Sequence, residues 1–298
     1  MLAVYVFSFN RGPFLRHCIE SVREHAPDLP LTVVDDSSTD QETREVLASL
    51  PEMVRVLRPD STGEGRHGGL YANMQLALED CRENHLLFLQ DDMQLVRALR
   101  PEDLDYFDAF FAHYPKAAFL NPVFLKGQRV RRDRRITRLA GEFPVYFRNY
   151  PQKSHPRGLS YSDAVVADVG RLRRAGWQFS SSEVENAWQA QQLFGAMGFM
   201  AHPFVMFLPQ VPVYRGRRTT WAVAFAERLG GVDPKGFETL RGLELETFLQ
   251  RDLAELPVAE RYLRCTDPSV PLPFQYSAVN AFPLLRIAHK FEQWLRRK

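Results

Sequence analysis

The chain of 298 residues is short of several things, and each shortage removes a class of answer. Its three cysteines, Cys18, Cys81 and Cys265, are odd in number and lack metal-type spacing, so neither a disulfide framework nor a zinc site organises the fold. Cys18 and Cys81 fall on apolar helix faces, which predicts reduced core thiols. No apolar run approaches the roughly 18 to 20 residues of a membrane span, and the first residues read as a strand rather than a charged and then apolar leader; a cytoplasmic protein is the expectation. A net charge of +2, from 38 basic and 36 acidic side chains, is too small for a nucleic-acid footprint, and no nucleic acid is expected as a partner. Internal repeats and low-complexity tracts are missing too. What remains is 45% hydrophobic and 25% charged, enough for one large domain or a domain with an extension.

Periodicity then orders the elements. Leu2 to Phe9 read as a strand, Asn10-Arg-Gly-Pro13 breaks it, and Leu15, Cys18, Ile19 and Val22 share a helix face. Leu31 to Val34 form a second strand ending in Asp35-Asp36-Ser-Ser-Thr-Asp40, whose small polar residues can cap a helix over Glu42 to Leu50. Val54 to Leu57 form a third, followed by a Gly-rich loop and a helix carrying Leu70, Met74, Ala77 and Cys81. The fourth, His85-Leu-Leu-Phe-Leu-Gln-Asp-Asp92, is a buried-strand run that stops at two carboxylates. Strands alternating with helices predict a Rossmann-like, mostly parallel sheet flanked by helices, with ligands bound at the strand carboxyl ends. Both Asp pairs belong to that edge. Two adjacent carboxylates repel, and Mn2+ or Mg2+ relieves that repulsion while meeting a diphosphate; the competing reading is that Asp91 and Asp92 cap a following helix.

Further along, a helix is predicted over Pro101 to His113 and a strand near Ala117 to Leu125. The stretch from Lys126 to Ser160 reads as loop or hairpin. Helices follow over Tyr161 to Ala175 and Glu183 to Met197, then strands over Phe204 to Leu208 and Val211 to Tyr214, and a mainly helical C-terminal extension. The expected organisation is residues 1–218 as one domain, with a nucleotide-sized crevice in its half over 1–98 and a second half over 99–218, and residues 219–298 as the extension. The literal GxGxxG at Gly63, Gly65 and Gly68 follows the wrong strand, at a distance from it, to be a dinucleotide fingerprint.

Val4-Tyr-Val-Phe-Ser-Phe-Asn10, Leu15 to Val22, Val33-Val-Asp-Asp-Ser-Ser-Thr-Asp40, Gly68-Gly-Leu-Tyr-Ala-Asn73 and Leu87-Phe-Leu-Gln-Asp-Asp92, taken in order, resemble glycosyltransferase family 2. Weaker agreement runs through Asp163 to Trp177 and Ser182 to Phe199. The resemblance implies a GT-A fold and an inverting, metal-dependent transfer of a sugar from a nucleotide diphosphate, with a UDP-sugar favoured, to a glycan or lipid-linked acceptor. It implies that Asp36, beside Asp35, accepts a uracil N–H, with Phe7 as a wall. Leu87 to Asp92 is similar to the family's DXD-type motif, so Asp92 is expected to ligate the metal and Asp91 to reach the ribose or a metal-bound water. Arg66 and His67 belong to a flexible loop that fits closure over a diphosphate. The base of such enzymes is an Asp or Glu at a helix start. Glu185 is the best positional match and Glu183 the second; about 200° apart around a helix, they cannot both face one site. Ser182 with Glu185, or Ser180 with Glu183, also fits a capping box without chemistry. Asn186 stands where relatives usually carry Asp, and no His stands near Arg215, Arg217 and Arg218 as a further ligand.

Two basic features suggest partners. Lys126 to Arg138 sets seven cations against Asp133 alone, which suits an acidic acceptor, an anionic membrane or a solvated hairpin. Leu284, Ile287, Ala288, Phe291, Trp294 and Leu295 form a helical stripe opposite Arg286, Lys290, Arg296, Arg297 and Lys298. Such a helix lies on a membrane or docks on the parent domain or a second subunit, and docking is the commoner use of an apolar stripe. A non-catalytic GT-A module and, third, a nucleotidyltransferase are the alternative functions.

Overall fold

The computed structural model of the chain describes residues 1–59, 69–149, 156, 158–213 and 219–296. In chain order the elements are β1 (Leu2–Ser8), α1 (Gly12–His25), β2 (Leu31–Asp35), α2 (Gln41–Ala48), β3 (Arg55–Leu57), α3 (Gly69–Asp80), β4 (His85–Gln90), β5 (Met93–Leu95), α4 (Pro101–His113), β6 (Phe119–Asn121), α5 (Val130–Ile136), β7 (Thr137–Leu139), β8 (Val145–Arg148), β9 (Val166–Asp168), α6 (Val169–Arg174), α7 (Glu183–Phe194), β10 (Gly198–Met200), β11 (Val205–Phe207), α8 (Trp221–Gly230), α9 (Gly242–Leu249), α10 (Ala259–Tyr262), α11 (Ala278–Ala281) and α12 (Pro283–Leu295).

Among the described residues nine strands form one sheet in the order β3-β2-β1-β4-β9-β6-β10-β8-β7. The first four in that order are mutually parallel, as expected, while β9 runs antiparallel between β4 and β6. Strand alternation sorts the core onto two faces. Leu2, Val4 and Val6 of β1 pack on one side with α1, α2 and α4, whereas Ala3, Tyr5 and Phe7 pack on the other with α3, α6 and α7. A strand covered on both faces has no polar side, which is why β1 and β4 read as continuous apolar runs. Phe237, Leu240, Phe248 and Phe274 of the C-terminal region join the first of these cores.

Five local expectations are corrected. The turn at Asp91-Asp92 leads into β5 rather than a helix, so the pair caps nothing. Val166 to Asp168, expected within a helix, enter the sheet as β9, because the small and β-branched run Ala164 to Ala167, buried at 0%, brings them into a gap between two strands that need a partner. Gly198–Met200, just past the helix expected to end at Met197, is β10. The middle stretch expected as loop or hairpin does hold the β7–β8 hairpin, but α5 precedes it. Val211 to Val213 are not a strand.

Helix α12 does dock, through Ala288 at one flank of the predicted stripe and Leu285 beside it rather than through the stripe as a whole. Leu285 and Ala288 pack with Ala222, Val223 and Ala226 of α8, and the Nδ1 of His289 lies 2.8 Å from the Thr220 hydroxyl. Leu284, Ile287 and Phe291 stay 82, 64 and 60% exposed. No helix among the described residues is long and apolar enough to cross a membrane.

Candidate active site

The register places Ser8 opposite Asp35 and Phe7 opposite Gln90, so the ends of β1, β2 and β4 reach one edge together. Both acid pairs lie there and are buried: Asp35 and Asp36 at 2 and 6%, Asp91 and Asp92 at 5 and 0%. The loop that follows β1 ties the edge together. Asn10, at φ 53°, takes the left-handed conformation that Asn tolerates, and its side-chain oxygen accepts from Thr39 N at 2.8 Å and Asp40 N at 3.2 Å. Gly12 begins α1 against α2, where a Cβ would stand 2.6 Å from backbone atoms of Glu42 and Thr43, so only glycine fits.

Asp40, not Asp35 or Asp36, caps α2, accepting from Thr43 N. The first pair is therefore free of that structural duty. Asp35 accepts from Ser38 N at 3.1 Å and lines a cavity of about 510 Å3 with Ser37, Ser38, Arg44 and Arg58. Its Oδ1 is buried without a hydrogen-bond partner, and burial pushes its pKa up, against the Ser38 hydrogen bonds. An N–H donor would satisfy that oxygen. Asp36 accepts from Gly69 N at the start of α3. Phe7 is 4% exposed and stacks on Phe88 at 5.9 Å, so its ring is part of the core beneath this edge. Arg66, His67 and Arg215 to Arg218 lie outside the described residues.

The second pair has a partner in the chain break that follows β1. Arg11 sets one guanidinium nitrogen 3.2 Å from Asp91 Oδ1 and 2.7 Å from Asp92 Oδ2. Burial works against the Arg11 charge, but Asp91, Asp92 and Tyr276 more than offset it and hold its pKa up. Tyr276 also donates to Asp92 Oδ2. Burial, opposed by Arg11 and assisted by Asp92, pushes Asp91 up to about 7. Asp92 Oδ1 is buried with no hydrogen-bond partner. An orphaned hard oxygen beside a second carboxylate suits Mg2+ or Mn2+, so the residues fit the expected ion. No group of three or more His, Cys, Asp or Glu side chains among the described residues could hold a metal, so further ligands would come from substrate or water.

Next to Tyr276 opens a larger cavity of about 830 Å3, lined in part by Lys126, Arg148, Glu183, Phe199 and Phe207. Ser182 caps α7, accepting from Glu185 N at 3.3 Å. The helix then separates its two glutamates: Glu183 lines the cavity, while Glu185 is exposed and accepts from the Ser181 hydroxyl at 3.2 Å. Asn186, fully buried, accepts from Ser180 N at 2.7 Å and donates to Ser180 O at 3.2 Å, which fixes the approach to the helix. Arg11 could have been found from sequence, since it follows β1 and the strand order 3-2-1-4 makes β1 and β4 neighbours. Tyr276 and Arg148 carried no signal, because only the tertiary fold brings them here.

Among solved structures, GalNAc-T7 with UDP, GalNAc and Mn2+ gives a TM-score of 0.52 at 14% identity, over 73% of this chain and 45% of that one. A mannosyltransferase from Pyrobaculum calidifontis in complex with GDP-Man and Mn2+ gives 0.46 at 15%, over 97% and 71%. S. aureus TarS 1-349 gives 0.44 at 17%, over 69% of this chain and 60% of its own length. The chain thus spans less than two thirds of that TarS chain. The architecture is the GT-A fold. No curated protein matches. The sequence model of glycosyl transferase family 2 matches residues 3–174, more than half of the chain, and covers β1 to β4 with both acid pairs; the protein belongs to that family.

Proposed function

We propose that the protein moves a sugar, with inversion, from a nucleotide-diphosphate donor, with a UDP-sugar favoured, to an acceptor hydroxyl held in the 830 Å3 cavity. The observation that carries this reading is the placement of Glu183 in a cavity that meets the Asp91–Asp92 edge through Tyr276. The base of the donor packs against the Asp35–Asp36 edge, where the unpaired Asp35 Oδ1 accepts an N–H and selects against bases that lack the donor. Asp91 and Asp92 would hold Mn2+ or Mg2+, which supplies positive charge against the departing diphosphate. Arg11 adds a fixed cation at the same rim. Glu183 takes the proton of the acceptor hydroxyl as that oxygen attacks the anomeric carbon from the face opposite the leaving group. Glu185, expected first from its position, is turned to Ser181 and solvent.

The acceptor is a glycan or a lipid-linked sugar. The exposed apolar face of α12, bordered by Arg286, Lys290 and Arg296, supports contact with an anionic membrane rather than dimerisation, since two copies would oppose rims of like charge.

Thermal shift with nucleotide sugars, with and without Mn2+, identifies the donor, and NMR of the product reads the anomeric configuration. Glu183→Gln is expected to lower kcat by about 10²- to 10⁴-fold, and Glu185→Gln to leave it within about threefold. Failure of any nucleotide sugar to bind, or full activity in Glu183→Gln, overturns the reading.

A further inference from the structure

The basic segment resolves into two sets of arginines. Along α5 and the 3-10 turn before it, Arg129, Arg132, Asp133 and Ile136 recur at i, i+3, i+4 and i+7 and line the large cavity. Arg131, Arg134 and Arg135 are exposed on the other faces and do not. Two further cations line the cavity from elsewhere in the fold: Arg148 at the end of β8, and Lys126 ahead of α5.

These cations are held without being neutralised. The Arg148 guanidinium lies 4.2 Å from the centroid of Phe199, and Lys126 Nζ lies 4.1 Å from that of Phe207. An aromatic ring steadies a cation through its quadrupole and leaves the net charge in place. Among the described residues that line the cavity, four cations face the carboxylates of Asp133 and Glu183. Asp133 is shared, at 3.4 Å from Arg132 and 3.5 Å from Arg148, so neither pair has close bidentate geometry. The Arg148 side chain is 10% exposed, yet its Nε has no hydrogen-bond partner. Burial, with Arg129 as the next cause, pushes Lys126 down to about 8, and burial also lowers Arg148. Holding several cations in a half-enclosed cavity costs free energy, and an anionic ligand removes that cost.

We propose that this cavity is an acceptor subsite for an anionic group, a phosphate ester or a sugar carboxylate, gripped by Arg148, Arg132, Arg129 and Lys126. The acceptor is therefore acidic, with its charged group set beside the hydroxyl that is glycosylated. The proposal rests on the reading of Glu183 as the base, because Glu183 lines the same cavity. The planar guanidinium forks suit both phosphate and carboxylate oxygens, so the two sources share one recognition chemistry.

The test uses the full chain saturated with UDP and Mn2+, so that the donor edge is filled. Inorganic phosphate and glucuronate are titrated separately, with glucose and matched chloride as controls, and the melting temperature is followed. A saturable rise with phosphate, glucuronate or both, and none with the controls, is expected, and the responding anion identifies the acceptor's acidic group. In Arg129→Ser/Arg132→Ser, where both side chains are exposed and folding is not at risk, the apparent affinity is expected to fall about tenfold or more, with the UDP response unchanged. Arg148→Gln is expected to act in the same direction. A chain that responds to neither anion, or a response that survives the double substitution, overturns the proposal. Loss of the UDP response in the unaltered chain would instead remove the donor reading, while the anion titration would still report on the cavity.

Discussion

Tyr276 and Asp92 stand 184 residues apart in the chain, yet the Tyr276 hydroxyl donates to Asp92 Oδ2, the same oxygen that Arg11 holds at 2.7 Å. Burial, with Asp92 next, raises the pKa of Tyr276, so the phenol keeps the proton it donates. An incoming ion must compete with that hydrogen bond. Hydrogen bonds to charged groups contribute about 1.5–3 kcal/mol. Tyr276→Phe is therefore expected to bind Mn2+ about tenfold more tightly, as measured by electron paramagnetic resonance titration of the free ion. Weaker binding would mean that the hydroxyl instead holds the carboxylate in its ligating position.

A pH prediction comes from His202. Burial, reinforced by Arg251 and Arg97, pushes its pKa down to about 4 from the ordinary 6.5. Above pH 7 the imidazole is neutral in both states and costs nothing. As pH falls from about 6.5 to about 4, the unfolded chain takes up a proton that the folded chain refuses, so stability is lost across that window. Because the residue is only partly buried, solvent reduces the full linkage to about 2 kcal/mol. His202→Gln is expected to abolish this part of the slope, read as the difference in urea midpoints between the two proteins from pH 7 to 4.5. Parallel curves would contradict it.

The α12 face makes its own prediction. Leu284, Ile287 and Phe291 are exposed beside Leu285 and Ala288, which pack with α8. The full chain is expected to sediment with phosphatidylcholine vesicles that contain phosphatidylglycerol, and much less with phosphatidylcholine alone. Replacing those three residues by serine is expected to lower the partition by about tenfold or more while leaving UDP binding intact. A concentration-dependent dimer that the same substitutions dissociate would point to self-association instead.

The parallel half of the fold was legible because its signals are local. Leu15, Cys18, Ile19 and Val22 repeat on a helix face, and all four are buried at 3% or less. The acid pairs were legible for the same reason, since each ends an apolar run. Beyond Lys126 the signals turn tertiary. Val165 and Val166 sit in a stretch whose periodicity favours helix, but the ladders of β4 and β6 claim it. The choice between Glu183 and Glu185 depended on the rotation of α7 about its axis, which Ser182 and Asn186 set through contacts with no pattern of their own. Arg11 was hidden by its neighbours, because Gly12 and Pro13 account for the break in the chain without the arginine that precedes them.

Strand β9 has a consequence for how this protein could be divided or recombined. It is contributed by residues 166–168, yet it fills the middle of the sheet and supplies ladder partners to β4 on one side and β6 on the other. A fragment stopping short of Val166 would bare the backbone of Leu86 and Leu87 as a sticky border prone to intermolecular pairing. The half that carries the acid pairs is thus no transplantable cassette: it is complete only when the later chain has doubled back and been stitched through its centre.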